Sequence, residues 1–327
     1  MRVILNPDAG SAGCDHRTDG TELVSMVQGR VSKLQRYATK DGPGLRTTVF
    51  MTGCNLRCKW CANPEMLNAK GGMFYYKERC QHCGICVQMA ALGTITFAEI
   101  GCAIDREHCG DLEPIKDACP FEAYESTSQL MDCETLVHKL LRDREFYENS
   151  NGGVTFSGGE AGLQDDFLYA CAAKLRQAGI HTALDTAGLL EPQRLLRLCQ
   201  VFDLVLYDIK AFDADIHKRC TGVDNTLILE NAKLLCKQKM PMIVRMIVVP
   251  GMNDDPADIT ARLQFVKSLG SSVKQVDLLP YHNLGEGKYD KLGMTYELHD
   301  IGKMSDERME AIKQEGQMLG LHMTIGG

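Results

Sequence analysis

No stretch of this 327-residue chain is apolar for long enough to cross a bilayer as a helix. The opening "MRVILNPDAG" lacks the apolar core of a secretory signal. "SAGC" at Cys14 has the local look of a lipoprotein cleavage site, but no apolar segment precedes it. A long basic block is also missing, and the net charge is −7, which argues against nucleic acid or an anionic membrane as the main partner. Residues 1–28 are polar, turn-rich and without periodicity, and read as a poorly ordered extension. What remains is a soluble globular chain, long enough for one large α/β domain or two smaller ones around a sizeable core.

Cysteine is plentiful. There are 15, an odd number, and nine of them fall between Cys54 and Cys119. Disulfide scaffolds are short and cysteine-rich throughout, whereas here the cysteines beyond Cys119 are scattered singly. The close spacings C-x3-C-x2-C (Cys54, Cys58, Cys61) and C-x2-C-x2-C (Cys80, Cys83, Cys86) suit a metal cluster better. Together they indicate a reducing, cytoplasmic and oxygen-poor setting.

From residue 29 the pattern tightens. "RTTVFMTG" reads as a strand, and after residue 125 helical and apolar extended segments alternate: "TLVHKLLRDREFY" helix, "GVTFSGG" strand, "DDFLYACAAKLRQAG" helix, "HTALDTAG" strand, "EPQRLLRLCQ" helix, "FDLVLYDIK" strand. The alternation continues with "LILENAKLLCKQ" helix, "MIVRMIVVPG" strand, "ADITARLQFVKSLG" helix and "KQVDLLPY" strand, then "DERMEAIKQEGQML" helix and a short strand "HMTIGG". Six such units predict an α/β fold with a parallel sheet, namely a partial (β/α)6 barrel over residues 29–68 and 126–327. A doubly wound open sheet is the competing architecture. Residues 69–125 hold cysteines and little helical periodicity, and read as an inserted small domain.

"CNLRCKWC" follows the end of the first barrel strand, where α/β proteins place their chemistry. Three thiolates can wrap one [4Fe–4S] cube and leave one iron without a protein ligand, whereas electron-transfer clusters carry four cysteines. The open iron invites an external ligand. A loop of buried, inert cysteines and a zinc site with a fourth ligand elsewhere are the alternatives.

This spacing, with Trp60 just before Cys61, resembles the signature of the radical S-adenosylmethionine superfamily. In that superfamily the open iron binds the amino and carboxylate groups of S-adenosylmethionine, and an electron from the cluster releases a 5′-deoxyadenosyl radical. "DGPGLRTTVF", "CANPE", "SGGEA", "LDTAG", "LYDIK", "VRMIVVPGMND" and "LLPYHNLG", in that order, resemble the activating enzymes of glycyl radical enzymes over about residues 29–325. The resemblance implies a glycyl radical enzyme as protein substrate, whose glycine loop enters the barrel and loses a Cα hydrogen. It also implies a ferredoxin or flavodoxin as electron donor, and a monomer.

The site residues follow from the same resemblance. Ser157, Gly158, Gly159 and Glu160 form a turn that glycines serve in any case, and the resemblance places them on the methionine moiety. Asp185, Thr186 and Asp208 at neighbouring strand ends would otherwise read as helix caps. Two acids and a hydroxyl also make an oxygen-rich cation site, and the resemblance implies a monovalent cation held by Asp185, Thr186, Asp208 and the carbonyl of Leu206. Lys210 points the same way as Asp208 by strand alternation, with either the S-adenosylmethionine carboxylate or Asp208 itself as its partner. Arg245, a charge inside "MIVRMIVV", needs a partner or ligand. His282 reads as a core histidine or, by resemblance, as part of the cofactor pocket along with Arg245. Asp41, in a "DGPG" turn, is implied to lie near the partner's glycine loop.

The insertion poses its own question. Bacterial ferredoxins use C-x2-C-x2-C-x3-C-P, and the fourth cysteine ligates the other run's cluster. Laid on Cys80, the template lacks its fourth cysteine, because Ala90 stands there. Laid on Cys109, it keeps Cys119 and Pro120 but meets Leu112 and Ile115 in the middle. The losses remove one whole cluster and leave Cys80, Cys83, Cys86 and Cys119 for the other. One auxiliary [4Fe–4S] cluster in a ferredoxin-like domain is therefore expected, with an apolar plug in place of a second. Cys109 becomes a leftover thiol, and Cys102, off the template, could join it in an irregular site. Two further functions compete with the activase: a radical S-adenosylmethionine enzyme on a small molecule, and an iron–sulfur electron carrier.

Overall fold

The computed structural model describes residues 27–326. Cys14 and the expected extension, apart from Val27 and Gln28, lie outside them. Among the described residues thirteen strands form: β1 (Gln28–Ala38), β2 (Arg46–Met51), β3 (Met73–Tyr75), β4 (Ile95–Phe97), β5 (Cys102–Ile104), β6 (Tyr124–Ser126), β7 (Gln129–Asp132), β8 (Gly153–Gly158), β9 (His181–Thr186), β10 (Leu204–Asp208), β11 (Met242–Val248), β12 (Val273–Pro280) and β13 (Met323–Ile325). Nine of them make one sheet in the order β13-β12-β11-β10-β9-β8-β2-β1-β7. From β2 through β8 to β13 every neighbouring pair is parallel. Sequence order and spatial order coincide along this run. A doubly wound sheet reverses its order at a switch point; this one winds in a single sense, as a partial barrel does.

Helices fill the crossovers. Asp165–Gln177, Pro192–Leu198, Thr226–Lys237 and Pro256–Ser268 each bury an apolar side against the sheet. They make the large core with the buried faces of the strands, among them Val49, Phe156, Leu184, Tyr207, Val244 and Leu278. Starts are chemically marked. Asp255 accepts from the N–H groups of Ala257 and Asp258 ahead of Pro256 at the first turn.

The segment read as one helix from residue 135 to 147 is two, Cys133–Leu141 and Arg144–Ser150. At the break stands Asp143, whose carboxylate is held by Arg36 at 2.9 Å and by the Thr47 hydroxyl at 3.1 Å. Those two partners lie on β1 and β2, so tertiary contacts override local helix preference there. The barrel is flanked on its first edge by two antiparallel strands, β1 on β2 and β7 on β1. Arg46 on β2 is fully buried and satisfied by Thr155 Oγ1 and the carbonyls of Val154 and Pro43.

Between β2 and β7 the chain builds a small second core. β3 pairs with β6 and β4 with β5, both antiparallel, beside the helices Ile85–Met89 and Glu113–Ala118. Leu112 and Ile115 are buried there with Met73, Tyr75, Ile95, Tyr124 and Cys109. This unit rests on a helix that follows β12, Glu286–Leu292. Arg106 donates to the carbonyls of Met73 and Lys291, and Lys77 pairs with Asp290 at 2.9 Å.

Candidate active site

The parallel strands converge their C-terminal ends on a cavity of about 560 Å³. It opens where β2 runs into Gly53, which holds a left-handed φ of +94°. The loop that follows is tied down at several points. Gly53 N–H reaches the Met66 carbonyl, Arg57 N–H the Thr221 carbonyl at 2.7 Å, and Lys59 N–H the Cys220 carbonyl at 3.0 Å. Asn55 Nδ2 adds a bond to the Leu189 carbonyl at 2.6 Å. Cys54, Cys58 and Cys61 thereby all border the cavity, with Trp60 beside them. Leu56 N–H donates to Cys54 Sγ at 3.4 Å. Burial pushes all three thiols up to about 11. The nearby Lys210 ammonium pulls each of them back towards the thiolate. Among the described residues no fourth cysteine lines the cavity.

The strand ends supply the charges, and register decides who meets whom. Residue pairs across β8, β9 and β10 bring Ser157 beside Asp185, and Leu206 lies opposite Asp185. Ser157 Oγ donates to Asp185 Oδ2 at 2.6 Å, and Asp208 lies opposite Arg245 on β11. Arg245 reaches Asp185 at 3.0 Å, Asp41 at 3.3 Å and the Lys40 carbonyl at 2.9 Å. Its Nε is buried without a partner. Thr48 holds the other oxygen of Asp41 at 2.7 Å. Of the two partners open to Lys210, the structure contains Asp208, at 2.7 Å. Burial works against the Lys210 ammonium, but the Asp208 carboxylate more than offsets it and holds it protonated. Burial raises Asp185, with Arg245 opposing.

Asp41, Trp60, Ser157, Gly158, Gly159, Asp185, Thr186, Asp208, Lys210, Arg245 and His282 thus all line the cavity with the three cysteines. His282 is exposed at its rim rather than built into the core. Glu160 and Leu206 stand behind the wall. Glu160 is fully buried and accepts from Thr186 Oγ1 at 2.7 Å, Ala187 N–H at 2.9 Å and Gly162 N–H at 3.2 Å. It organises the loop after β9. Gly158 and Gly159 are required by the protein's own backbone, since a Cβ there would run into the carbonyls of Met51 and Gly53. The four residues expected around a cation share adjacent strand ends, but Asp185 is held by Arg245, Asp208 by Lys210, and the Thr186 hydroxyl by Glu160.

Other wall residues lie outside the motifs. Lys33, Gln35 and Tyr37 reach the cavity from β1 at every second position, the alternation of a strand. The loop after Cys61 is held from the helix Glu286–Leu292. Tyr289 donates to the Cys61 carbonyl at 3.0 Å, and Lys288 to the Ala62 carbonyl, Asn63 Oδ1 and Glu65 Oε1 at 2.9, 2.8 and 2.7 Å. No sequence motif marks these two, because their partners lie more than 220 positions away.

A second cysteine site lies in the inserted unit. Cys80, Cys83, Cys86 and Cys119 line one narrow cleft, joined by Cys102. Cys109 does not line it; its thiol is buried among Leu112 and Ile115. Among the described residues no three His, Cys, Asp or Glu side chains close around a single ion.

Comparison with known proteins places this geometry. The radical SAM superfamily model matches residues 48–263. A trans-4-hydroxy-L-proline dehydratase activating enzyme of Clostridioides difficile is 37% identical over 91% of this chain and 99% of its own. A benzylsuccinate synthase activating enzyme of Thauera aromatica is 33% identical over 91% of this chain and 92% of its own. A solved radical SAM methyltransferase from Sphaerobacter thermophilus superposes with a TM-score of 0.50 over 90% of this chain and 76% of that one, at 14% identity, a likeness of fold alone. The family implies a [4Fe–4S] cluster and S-adenosylmethionine, and the donor set fits them: among the described residues three thiols and no fourth line a cavity whose wall carries paired charges. The chain belongs to the radical S-adenosylmethionine superfamily and, within it, to the activating enzymes of glycyl radical enzymes.

Proposed function

We propose that this enzyme converts a partner glycyl radical enzyme into its active form by abstracting a Cα hydrogen from a glycine of that partner. The observation that carries the reading is the three-cysteine loop opening on a charged cavity that no fourth thiol lines among the described residues. Cys54, Cys58 and Cys61 would hold the cluster, and the open coordination position would take S-adenosylmethionine. Bound there, the pair supplies a 5′-deoxyadenosyl radical once an electron arrives. The protein's own part is orientation. Asp208 and Lys210, and Asp185 with Arg245 and Asp41, offer fixed charges of both signs to an amino-acid moiety. Metal binding requires the thiols to lose protons, and Lys210 is the cation placed to favour that loss.

The rest of the reading is built on the same site. Asp41, tethered by Thr48 and Arg245, faces the partner's glycine loop. A monovalent cation joins the carboxylates of Asp185 and Asp208, the Thr186 hydroxyl and the Leu206 carbonyl. Residues 69–125 form a ferredoxin-like domain within a barrel of residues 29–68 and 126–327. One auxiliary [4Fe–4S] cluster sits on Cys80, Cys83, Cys86 and Cys119, which is supported by their shared cleft and by the apolar burial of Leu112 and Ile115. A ferredoxin or flavodoxin delivers the electron to a monomeric, cytoplasmic enzyme. Among the described residues no helix is long and apolar enough to cross a membrane.

The test is anaerobic reconstitution with S-adenosylmethionine, a strong reductant and candidate glycyl radical enzymes. Release of 5′-deoxyadenosine with an organic radical signal on the partner is the expected result. Release of 5′-deoxyadenosine with no radical on any partner, but with turnover of a small molecule, would overturn the activase reading. Absence of both would overturn the catalytic one.

A further inference from the structure

The cleft in the inserted unit holds five cysteines where a [4Fe–4S] cluster needs four. Cys102 is the one off the ferredoxin template. It opens β5, and its backbone N–H donates to the Tyr75 hydroxyl at 2.7 Å, so the strand is pinned at the cleft. Its sulfur stands 3.9 Å from the Cys86 sulfur. Cys102 is buried, whereas Cys83 is exposed and Cys80, Cys86 and Cys119 are half-buried. Cys109, which Cys102 could have joined in an irregular site, lines a different groove.

Resting on the auxiliary-cluster reading above, we propose that Cys102 is a reserve ligand of that cluster, placed to take the iron of Cys86. A sulfur 3.9 Å from a ligand sulfur reaches the same iron by a small shift, and among the described residues no other thiol outside the template shares the cleft. In the exchange the Fe–S bond to Cys86 breaks and one to Cys102 forms, the Cys102 thiol gives up its proton, and the released Cys86 thiolate takes one up. No electron moves. The site then keeps four-sulfur ligation when Cys86 is lost, and fails when a ligand with no such neighbour is lost.

Iron and sulfide per chain in the anaerobically purified full-length protein read this out, with the change that S-adenosylmethionine induces in the reduced-cluster EPR signal reporting an intact barrel site. Two clusters give about eight irons and one gives about four. Wild type, Cys86→Ala and Cys102→Ala are expected near eight, and Cys83→Ala and the double variant Cys86→Ala/Cys102→Ala near four. Cys86→Ala near four, beside a wild type near eight, overturns the reserve role and leaves the auxiliary cluster standing. Cys102→Ala near four makes Cys102 an obligatory ligand and overturns it too, as does a double variant near eight. A wild type near four removes the auxiliary cluster itself. Independently of any variant, diamide is expected to take two electrons and two protons from the iron-free wild-type chain and join Cys86 to Cys102, read by peptide mass spectrometry. Failure to recover that pair overturns the proximity on which the proposal stands.

Discussion

Single residues in this site carry more than one duty. Arg245 neutralises Asp185 and Asp41 together and is itself almost buried. Removing it leaves the largely buried carboxylates of Asp185 and Asp41 without their shared cation, with the hydroxyls of Ser157 and Thr48 as their remaining partners. Arg245→Met is therefore expected to destabilise the fold by about 3–5 kcal/mol, the usual cost of breaking a buried pair, and to weaken S-adenosylmethionine binding, measured by urea unfolding and by titration calorimetry. Glu160 behaves differently. Burial, opposed by its three hydrogen bonds, lifts it from an ordinary 4.5 to about 7. Folding thus favours the protonated acid; its stabilising contribution is full below pH 4.5 and is lost as the pH climbs through 7. The unfolding free energy should fall across that window by up to about 1.4 kcal/mol per pH unit on this group's account, and Glu160→Gln should flatten the slope. The charged wall was legible in the sequence because a charge inside an apolar strand, as at Arg245, is costly unless an opposite charge or a ligand meets it. The inward turn of Glu160 was not, since a strand-end acid facing ligand and one facing its own loop look alike in one dimension.

At the level of elements, the parallel strands were readable because burial on both faces makes them near-continuous apolar runs. β1 was not. Its burial pattern is broken, with exposed positions through its second half, and it delivers Lys33, Gln35 and Tyr37 to the cavity wall. The helix Glu286–Leu292 also escaped. It is short, and its value lies in what it touches: the insertion through Lys291 and Asp290, and the cysteine loop through Lys288 and Tyr289. Lys288→Met leaves the buried Glu65 carboxylate without its cation. Faster loss of iron to a chelator is expected, with helix content by circular dichroism unchanged; a chelation rate equal to wild type would show that the helix does not brace the loop. The missing half of the ferredoxin template is open to a constructive test. Ala90→Cys/Leu112→Cys/Ile115→Cys, acting with Cys109, should restore a second auxiliary site and raise iron from about eight to about twelve per chain.

For the whole molecule, the alternation of strands and helices was enough to limit the architecture to two. The choice between them needed strand order, which no local pattern encodes. The same topology shows how the small unit is mounted. The chain leaves the barrel after β2 and returns to it at β7, and just inside that detour its outgoing and incoming arms run side by side, with Met73 opposite Ser126 and Tyr75 opposite Tyr124. A detour whose two ends are hydrogen-bonded neighbours behaves like a plug in a socket. Its contents can lengthen, shrink or exchange one set of cysteines for another while the host sheet keeps its register. A lineage can thus change what the detour carries without disturbing the barrel on which it is mounted.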